Sequence, residues 1–125
     1  FQDTLLGPAA YDVASLAQDA RVTVPGDLET ALIDRYVAAR AGDAGFDADR
    51  FRLTYAILAV QRNTRLLGLW ARLLKRDGKP GYLRHYPRTS DYLDRALAHP
   101  MLHAVKTWYD THLPATVRAA GAFKA

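Results

Sequence analysis

The sequence predicts a mainly α-helical domain, and three observations lead to this prediction. Apolar residues recur at helical spacing along most of the chain, and residues 21–24 (RVTV) are the only stretch that resembles a strand. Half of the 125 residues are hydrophobic, which is enough for one compact domain with a buried core. No apolar run approaches the 18 to 20 residues of a membrane span. We therefore expect a single helical domain over residues 1–125.

The first three helices follow from local start and stop signals. The first covers residues 7–20, with Gly-Pro at its entry, and the second covers residues 24–42, with acidic residues near its start. Asp47 is a good N-cap for a third helix, which continues to Gly78. At 1.5 Å per residue this longest element spans roughly 45 Å.

The rest of the chain is predicted to consist of shorter elements. A short segment at residues 82–86 precedes a helix at about residues 89–98. Pro100 begins a last helix, and Pro114 stops it because proline cannot continue the backbone hydrogen bonding. We expect residues 115–125 to form a frayed tail.

Composition limits the functional classes. The chain carries a net charge of +4, but acidic and basic residues are interspersed, and only residues 75–88 concentrate positive charge. No recognised nucleic-acid motif accompanies that stretch, so we expect a solvated turn there and neither a nucleic-acid nor a membrane partner. The absence of cysteine excludes disulfides, thiolate zinc sites and cysteine nucleophiles. No export signal is visible, and a cytoplasmic location is expected.

Five polar residues at positions 61–65 (QRNTR) interrupt the long helix, which is apolar on both sides of them. Two interpretations remain open. In the first, Arg62, Asn63 and Arg65 lie on an exposed stripe, and Gln61 is hydrogen-bonded to a neighbouring loop. In the second, Gln61, Arg62 and Arg65 line a polar cleft, where arginine would bind a phosphate or carboxylate through its planar guanidinium.

Other catalytic patterns are absent from the sequence. His99 and His103 are four residues apart, but Pro100 places His99 outside the helix, which argues against a paired metal site. Ser15 and Ser90 lack the surroundings of a nucleophile elbow. The glycines fit neither of the common phosphate-binding loops. We therefore assign no catalytic residue and no metal ligand within the chain.

Three blocks of the sequence resemble the bacterial anomeric kinases of N-acetylmuramate and N-acetylglucosamine, which are aminoglycoside phosphotransferase-like kinases. That family shows DFQDA-x-x-GP-x-x-YDVASL, then AQR-x-T-R-x-LG-x-F-x-RL, then RDGK-x-x-YL-x-H-x-PR. The matching residues, in the same order, are Phe1 to Asp3, Gly7-Pro8, Tyr11 to Leu16, Gln61-Arg62, Thr64-Arg65, Leu67-Gly68, Arg72-Leu73, Arg76 to Lys79, Tyr82-Leu83, His85 and Pro87-Arg88. Trp70 stands where the family has phenylalanine.

The resemblance implies that the chain is the helical C-terminal lobe portion of a two-lobe, protein-kinase-like fold. The family's magnesium-binding aspartate would directly precede Phe1, and the H-x-D-x-x-x-x-N catalytic loop is absent, since no histidine here has an aspartate two residues on. A fragment without that loop and the N-terminal lobe would be inactive alone. The full-length enzyme would use ATP and Mg²⁺ to phosphorylate an amino sugar in peptidoglycan recycling.

The resemblance also assigns roles to individual residues. The aspartate that matches Asp12 braces the backbone of the catalytic loop, although a carboxylate near a helix start can equally act as a cap. Gln2 and Asp3 would lie at the mouth of the site as candidates for binding sugar hydroxyls, with Asp3 alternatively capping the following turn. Gln61, Arg62 and Arg65 match the QR-x-T-R block as further candidates for substrate binding.

Two rival functions stay open. One is a kinase of the same fold acting on an aminoglycoside or another hydroxylated substrate. The other is a non-enzymatic helical binding module that uses the basic stretch at residues 75–88.

Overall fold

The computed structural model describes residues 6–119, which form a chain of helices. The α-helices are α1 (Ala10–Ala17), α2 (Gly26–Arg40), α3 (Ala48–Lys75), α4 (Tyr86–Leu97), α5 (His103–His112) and α6 (Ala115–Ala119), and 3-10 helices cover Pro80–His85 and Pro100–Leu102. No residue between positions 6 and 119 belongs to a strand. The prediction of a mainly α protein is confirmed.

The central element is α3, whose 28 residues extend for roughly 42 Å. It begins as predicted, because the Asp47 side chain accepts a hydrogen bond from the backbone N–H of Arg50 at 2.9 Å. At the other end Gly78 adopts a φ of +61°, a conformation that glycine reaches without steric cost. The predicted boundaries of the long helix are therefore confirmed to within a few residues.

Two apolar clusters hold the helices together. In the first cluster, small residues of α1 allow this helix to approach α3 closely. The buried side chains of this cluster are Ala10, Ala14, Ala17, Phe51, Tyr55, Ala59 and Ala96. The second cluster joins α3, α4 and α5 through Leu67, Leu93, Leu97 and Tyr109. Helix α4 thus packs along α3 and reaches both clusters.

The segment at residues 21–24 is not a strand, because side chains of α4 satisfy its backbone groups. The Tyr92 hydroxyl accepts a hydrogen bond from the Val24 N–H at 2.8 Å and donates one to the Val22 carbonyl at 3.0 Å. The Arg95 guanidinium donates to the Val24 carbonyl at 3.0 Å. The backbone is therefore paired without a neighbouring strand.

Two boundaries differ from the predictions. Helix α4 begins at Tyr86, not near residue 89, because a proline in the first helical turn sacrifices no hydrogen bond. Residues 115–119, predicted to fray, form α6. Its anchor is Arg118, only 2% exposed, which donates to the Leu113 carbonyl at 2.8 Å, to Ser90 Oγ at 2.9 Å and to Asp94 Oδ1 at 2.5 Å.

Candidate functional site

A buried carboxylate, Glu29, links the first four helices. Its Oε1 accepts hydrogen bonds from Gln18 Nε2 at 2.7 Å and from the Tyr55 hydroxyl at 2.8 Å, and its Oε2 accepts one from Arg95 Nη1 at 2.6 Å. The four groups come from the end of α1 and from α2, α3 and α4. A charge can stay buried here because it is paired with an arginine and hydrogen-bonded on both oxygens. Glu29 was not predicted from the sequence: the helical spacing of apolar residues in α2 points to its neighbour Leu28 as a core residue, but Leu28 is 48% exposed.

Asn63 extends this network along α3. Its Nδ2 donates to Gln18 Oε1 at 2.6 Å and to the Ala59 carbonyl at 2.9 Å. The Arg62 guanidinium donates to the Gln18 backbone carbonyl at 3.1 Å. Gln18 is therefore held by two neighbouring residues of α3, and the end of α1 is fixed on the middle of the long helix.

The polar interruption at residues 61–65 thus matches neither interpretation in full. Asn63 is fully buried, so placing it on an exposed stripe is wrong. Gln61 is exposed and its side chain makes no hydrogen bond within residues 6–119, whereas Arg62 is half-buried over the end of α1. Arg65 is exposed and lines a depression of about 280 Å³ with Gly68, Leu69 and Arg72, and neither Gln61 nor Arg62 lines it. The structure therefore does not gather the three candidates into one cleft.

The remaining candidates lie at the start of the chain. Asp12 is exposed in the first turn of α1, and in the described range its carboxylate makes no hydrogen bond. The N-cap is Ala9, and no side chain caps the start of the helix. Asp12 therefore does not act as a cap, although its carboxylate interacts favourably with the helix dipole. Gln2 and Asp3 lie outside the residues that the structure describes.

One cleft opens beside the buried carboxylate, between α2, α3 and α4. It has a volume of about 540 Å³, and its lining includes Glu29, Tyr55, Arg95, Arg52 and His99. Burial and the Glu29 carboxylate raise the pKa of Tyr55 far above its ordinary value, so its hydroxyl stays protonated as a donor. The Glu29 carboxylate and the Arg95 guanidinium in its lining are hydrogen-bonded to each other, so we assign no ligand to this cleft.

A second cleft, which we call the basic–aromatic cleft, has a different character. It has a volume of about 490 Å³, and its lining residues are Arg21, Trp70, Tyr82, Arg84, His85 and Arg88. The rings of Trp70 and Tyr82 stack with centroids 5.6 Å apart and planes inclined by 12°. Trp70 is itself fixed, because its indole Nε1 donates to Thr89 Oγ1 at 3.2 Å.

The cleft forms because Arg88 joins α4 to the segment after α1. Its Nε donates to Thr23 Oγ1 at 2.8 Å and its Nη1 donates to the Ala20 carbonyl at 2.9 Å. These bonds place Arg21 across the cleft from the 3-10 helix Pro80–His85. The predicted solvated turn at residues 75–88 is therefore partly wrong, since its second half forms one wall of a cleft. The alternation of aromatic and basic residues in YLRHYPR was the available signal; the contribution of Arg21 was not predictable from it.

The basic–aromatic cleft also perturbs a histidine. Partial burial and the charges of Arg84 and Arg88 lower the pKa of His85, which is therefore neutral at pH 7. A neutral imidazole has one acceptor nitrogen, so it can accept from Arg84 at 3.3 Å or from Arg88 at 3.4 Å, but not from both.

The described residues do not fit a magnesium site. Between positions 6 and 119 no group of three or more carboxylate or imidazole side chains converges as metal ligands would. We therefore derive no chemical step through a metal from these residues. In the same part of the chain, no helix is both long enough and apolar enough to cross a membrane.

Comparison with known proteins assigns the chain to a family. No family model matches it. It is 42% identical over 94% of its length to an N-acetylmuramate/N-acetylglucosamine kinase of Caulobacter vibrioides. It is 39% identical over 78% of its length to a protein of the same name from Pseudomonas aeruginosa, and 37% identical over 76% to one from Neisseria meningitidis.

The chain spans about a third of the length of these curated relatives, namely 32%, 30% and 29%. The three relatives carry the same name, and the matched region includes most of the helices described above. The chain therefore belongs to the N-acetylmuramate/N-acetylglucosamine kinase family.

Proposed function

We propose that this chain is part of an ATP-dependent kinase that phosphorylates N-acetylmuramate or N-acetylglucosamine. The observation that carries the proposal is the 42% identity over 94% of the chain to a relative of that name. The proposed enzyme works in peptidoglycan recycling in the cytoplasm, belongs to the aminoglycoside phosphotransferase-like kinases and needs no nucleic-acid or membrane partner.

In this proposal, ATP and Mg²⁺ are bound mainly by residues that precede the chain in the longer protein. The absence of a catalytic loop from the sequence and the lack of a metal-ligand cluster in residues 6–119 support the view that the chain is inactive alone. Phosphoryl transfer depends chiefly on positioning the reactants and stabilising charge. The described helices contribute rigidity, because the Glu29 network fixes α1, α2, α3 and α4 together.

Individual residues have proposed roles. Asp12 braces the catalytic loop of the longer protein, a role supported by its exposure and lack of a hydrogen bond in the described range. Gln2 and Asp3 bind sugar hydroxyls. Among the QR-x-T-R residues, Arg65 and Gln61 are exposed and available for substrate, whereas Arg62 positions the end of α1 through the Gln18 carbonyl.

The test is a phosphorylation assay on the chain extended upstream to its natural start, with ATP and Mg²⁺. N-acetylmuramate, N-acetylglucosamine and an aminoglycoside serve as parallel acceptors. We expect phosphate on at least one acetylated sugar and none on the aminoglycoside. Transfer to the aminoglycoside alone would contradict the amino-sugar proposal, and a folded protein that phosphorylates no acceptor would favour a helical binding module.

A variant pair tests the proposed role of Arg65. If its guanidinium pairs with the carboxylate of N-acetylmuramate, Arg65→Gln should lower kcat/KM for that sugar by about tenfold, since a charge-assisted hydrogen bond contributes roughly 1.5 kcal/mol or more. The uncharged N-acetylglucosamine should be affected much less. Arg35→Gln, at an exposed position of α2, is the control. Equal losses with both sugars would contradict the assignment.

A further inference from the structure

We propose that the basic–aromatic cleft binds a small organic anion, with a carboxylate or phosphate held between Arg21 and Arg84 and a ring-shaped body on Tyr82. The choice of a sugar as the body rests on the proposed function. The anion site itself rests only on the geometry of the cleft. The two proposals can fail separately, because the anion site rests on the cleft and the kinase proposal rests on the similarity to named kinases.

The first argument is unbalanced charge. Three arginines line the cleft and no carboxylate does. The nearest acid in sequence, Asp19, interacts electrostatically with Arg21, but it does not line the cleft, and its Oδ1 accepts the backbone N–H groups of Arg21 and Val22 at 2.6 and 3.2 Å. Like charges gathered in a partly enclosed space raise the local potential and attract an anion.

The second argument is the supply of unused donors. In the described part of the chain the Arg21 guanidinium makes no hydrogen bond, and that of Arg84 makes only the 3.3 Å contact with His85. Each guanidinium carries five N–H donors in a planar arrangement that matches two oxygens of a carboxylate or phosphate. Donors from both arginines therefore remain available to a ligand.

The third argument is that the walls are already in place. Arg88 is fixed on Thr23 and on the Ala20 carbonyl, and Trp70 is 7% exposed and bound to Thr89. A preformed site loses little conformational entropy when a ligand binds. Arg88 thus acts as a positioning residue, and Arg21 and Arg84 are the proposed ligand-binding residues.

Size and surface favour a small molecule. A volume of about 490 Å³ lies within the usual range for small-ligand sites. Tyr82 is 42% exposed while its ring stacks on Trp70, so it offers a supported apolar surface and a hydroxyl that can hydrogen-bond. An N-acetylated sugar bearing a carboxylate or a phosphate has both the ring and the anion.

The experiment is isothermal titration calorimetry, without ATP, on the chain extended to its natural start. The ligands are N-acetylmuramate, N-acetylglucosamine 1-phosphate, inorganic phosphate and uncharged N-acetylglucosamine. The variants are Arg21→Gln, Arg84→Gln and the double variant, with Arg35→Gln as a charge-matched control outside the cleft. Circular dichroism verifies that each variant is folded, which we expect because neither cleft arginine holds the fold together.

We expect the double variant to weaken binding of at least one anionic sugar tenfold or more, and the control to leave it unchanged. The anionic sugar that loses more affinity in the double variant identifies carboxylate or phosphate as the group bound in the cleft. Tyr82→Leu should weaken the sugar ligands but not inorganic phosphate. Unchanged anion affinity in the double variant would overturn the proposal, as would equal weakening of uncharged N-acetylglucosamine.

Two further results separate the alternatives. Tighter, arginine-dependent binding of a single-stranded oligonucleotide than of either sugar anion would overturn the small-molecule assignment in favour of nucleic acid. Arginine-dependent binding in a protein that transfers no phosphate would leave this inference standing while the proposed kinase function fails. Phosphate transfer without anion binding in the cleft would overturn this inference and leave the proposed kinase function standing.

Discussion

At the scale of single residues, Glu29 has the largest expected effect on stability. Removing its carboxylate leaves the Tyr55 and Gln18 donors without their partner and leaves Arg95 with only Asp91, at 3.0 Å, as a counter-charge. We expect Glu29→Ala to lower the free energy of unfolding by about 3 kcal/mol, the lower end of the usual cost of breaking a buried ion pair from one side, because Arg95 keeps one counter-charge. Urea unfolding followed by circular dichroism measures it.

The matched control is Asp34→Ala, which removes an exposed carboxylate from the same helix. Asp34 pairs with Arg52 at 2.7 Å, but both side chains are more than a third exposed. Such surface pairs contribute less than about 1 kcal/mol. Similar losses for the two variants would show that Glu29 is not the structural centre of the network.

His85 makes the basic–aromatic cleft sensitive to pH. The groups that face it are Arg84 and Arg88, the rings of Trp70 and Tyr82, and Arg21 across the cleft. Because its pKa is lowered, His85 is neutral at pH 7 and becomes a further positive charge only as the pH falls below its ordinary value of about 6.5. A bound anion favours that protonation, so anion affinity should rise as the pH falls.

The measurement is the affinity for N-acetylmuramate at pH 7.5, 6.5 and 5.5, a range in which its carboxylate stays ionised. We expect a several-fold increase towards pH 5.5 that disappears in His85→Asn. His112→Asn, which changes a histidine outside the cleft, should keep the full increase. An identical pH dependence in His85→Asn would assign the effect to another group.

At the scale of elements, the Asp47 cap fixes where α3 begins. Its carboxylate accepts the Arg50 N–H, one of the helix-start donors that lack a partner within the helix. We expect Asp47→Ala to cost about 1 kcal/mol of stability in thermal or urea unfolding. Asp49→Ala should cost only a few tenths, because Asp49 interacts with the helix dipole but caps nothing. A loss at Asp47 no larger than at Asp49 would contradict the capping role.

The elements also show what sequence could and could not predict. Both ends of α3 were predictable because Asp47 and Gly78 act within a few residues of themselves. The α6 helix was not predictable, because the residues that hold Arg118, namely Ser90 and Asp94, are more than twenty residues away in sequence. Glu29 and Asn63 were missed for the same reason, since local polarity cannot show which polar side chain has distant partners to satisfy it when buried.

The candidate site follows the same division. The resemblance correctly identified the family, and the residues at 75–88 indicated positive charge. It could not show that Arg21, more than sixty residues before Arg84, completes a cleft with it. This arrangement depends on the hydrogen bonds by which Arg88 joins α4 to residues 20 and 23. No local sequence pattern shows such bonds between distant residues.

At the scale of the whole molecule, α1 has two different faces. Ala10, Ala14 and Ala17 are buried against the described helices, while Tyr11 is 41% and Leu16 68% exposed. Because the chain spans about a third of its relatives' length, most of the longer protein lies outside these 125 residues. We expect the preceding part of the same protein to cover this outer face of α1, because exposed apolar side chains favour a packing partner.

Leu16→Gln tests that expectation, since glutamine keeps a high helix propensity while removing the apolar surface. In the 125-residue chain the change should alter the free energy of unfolding by less than about 0.5 kcal/mol, as is usual for exposed positions. In the chain extended to its natural start it should cost about 1.5–3 kcal/mol, the value of burying a leucine. Arg35→Gln, exposed on α2, should have little effect in either length. Equally small effects of Leu16→Gln in both lengths would place the covering part of the protein elsewhere, because a buried leucine cannot be replaced by an amide without loss of stability.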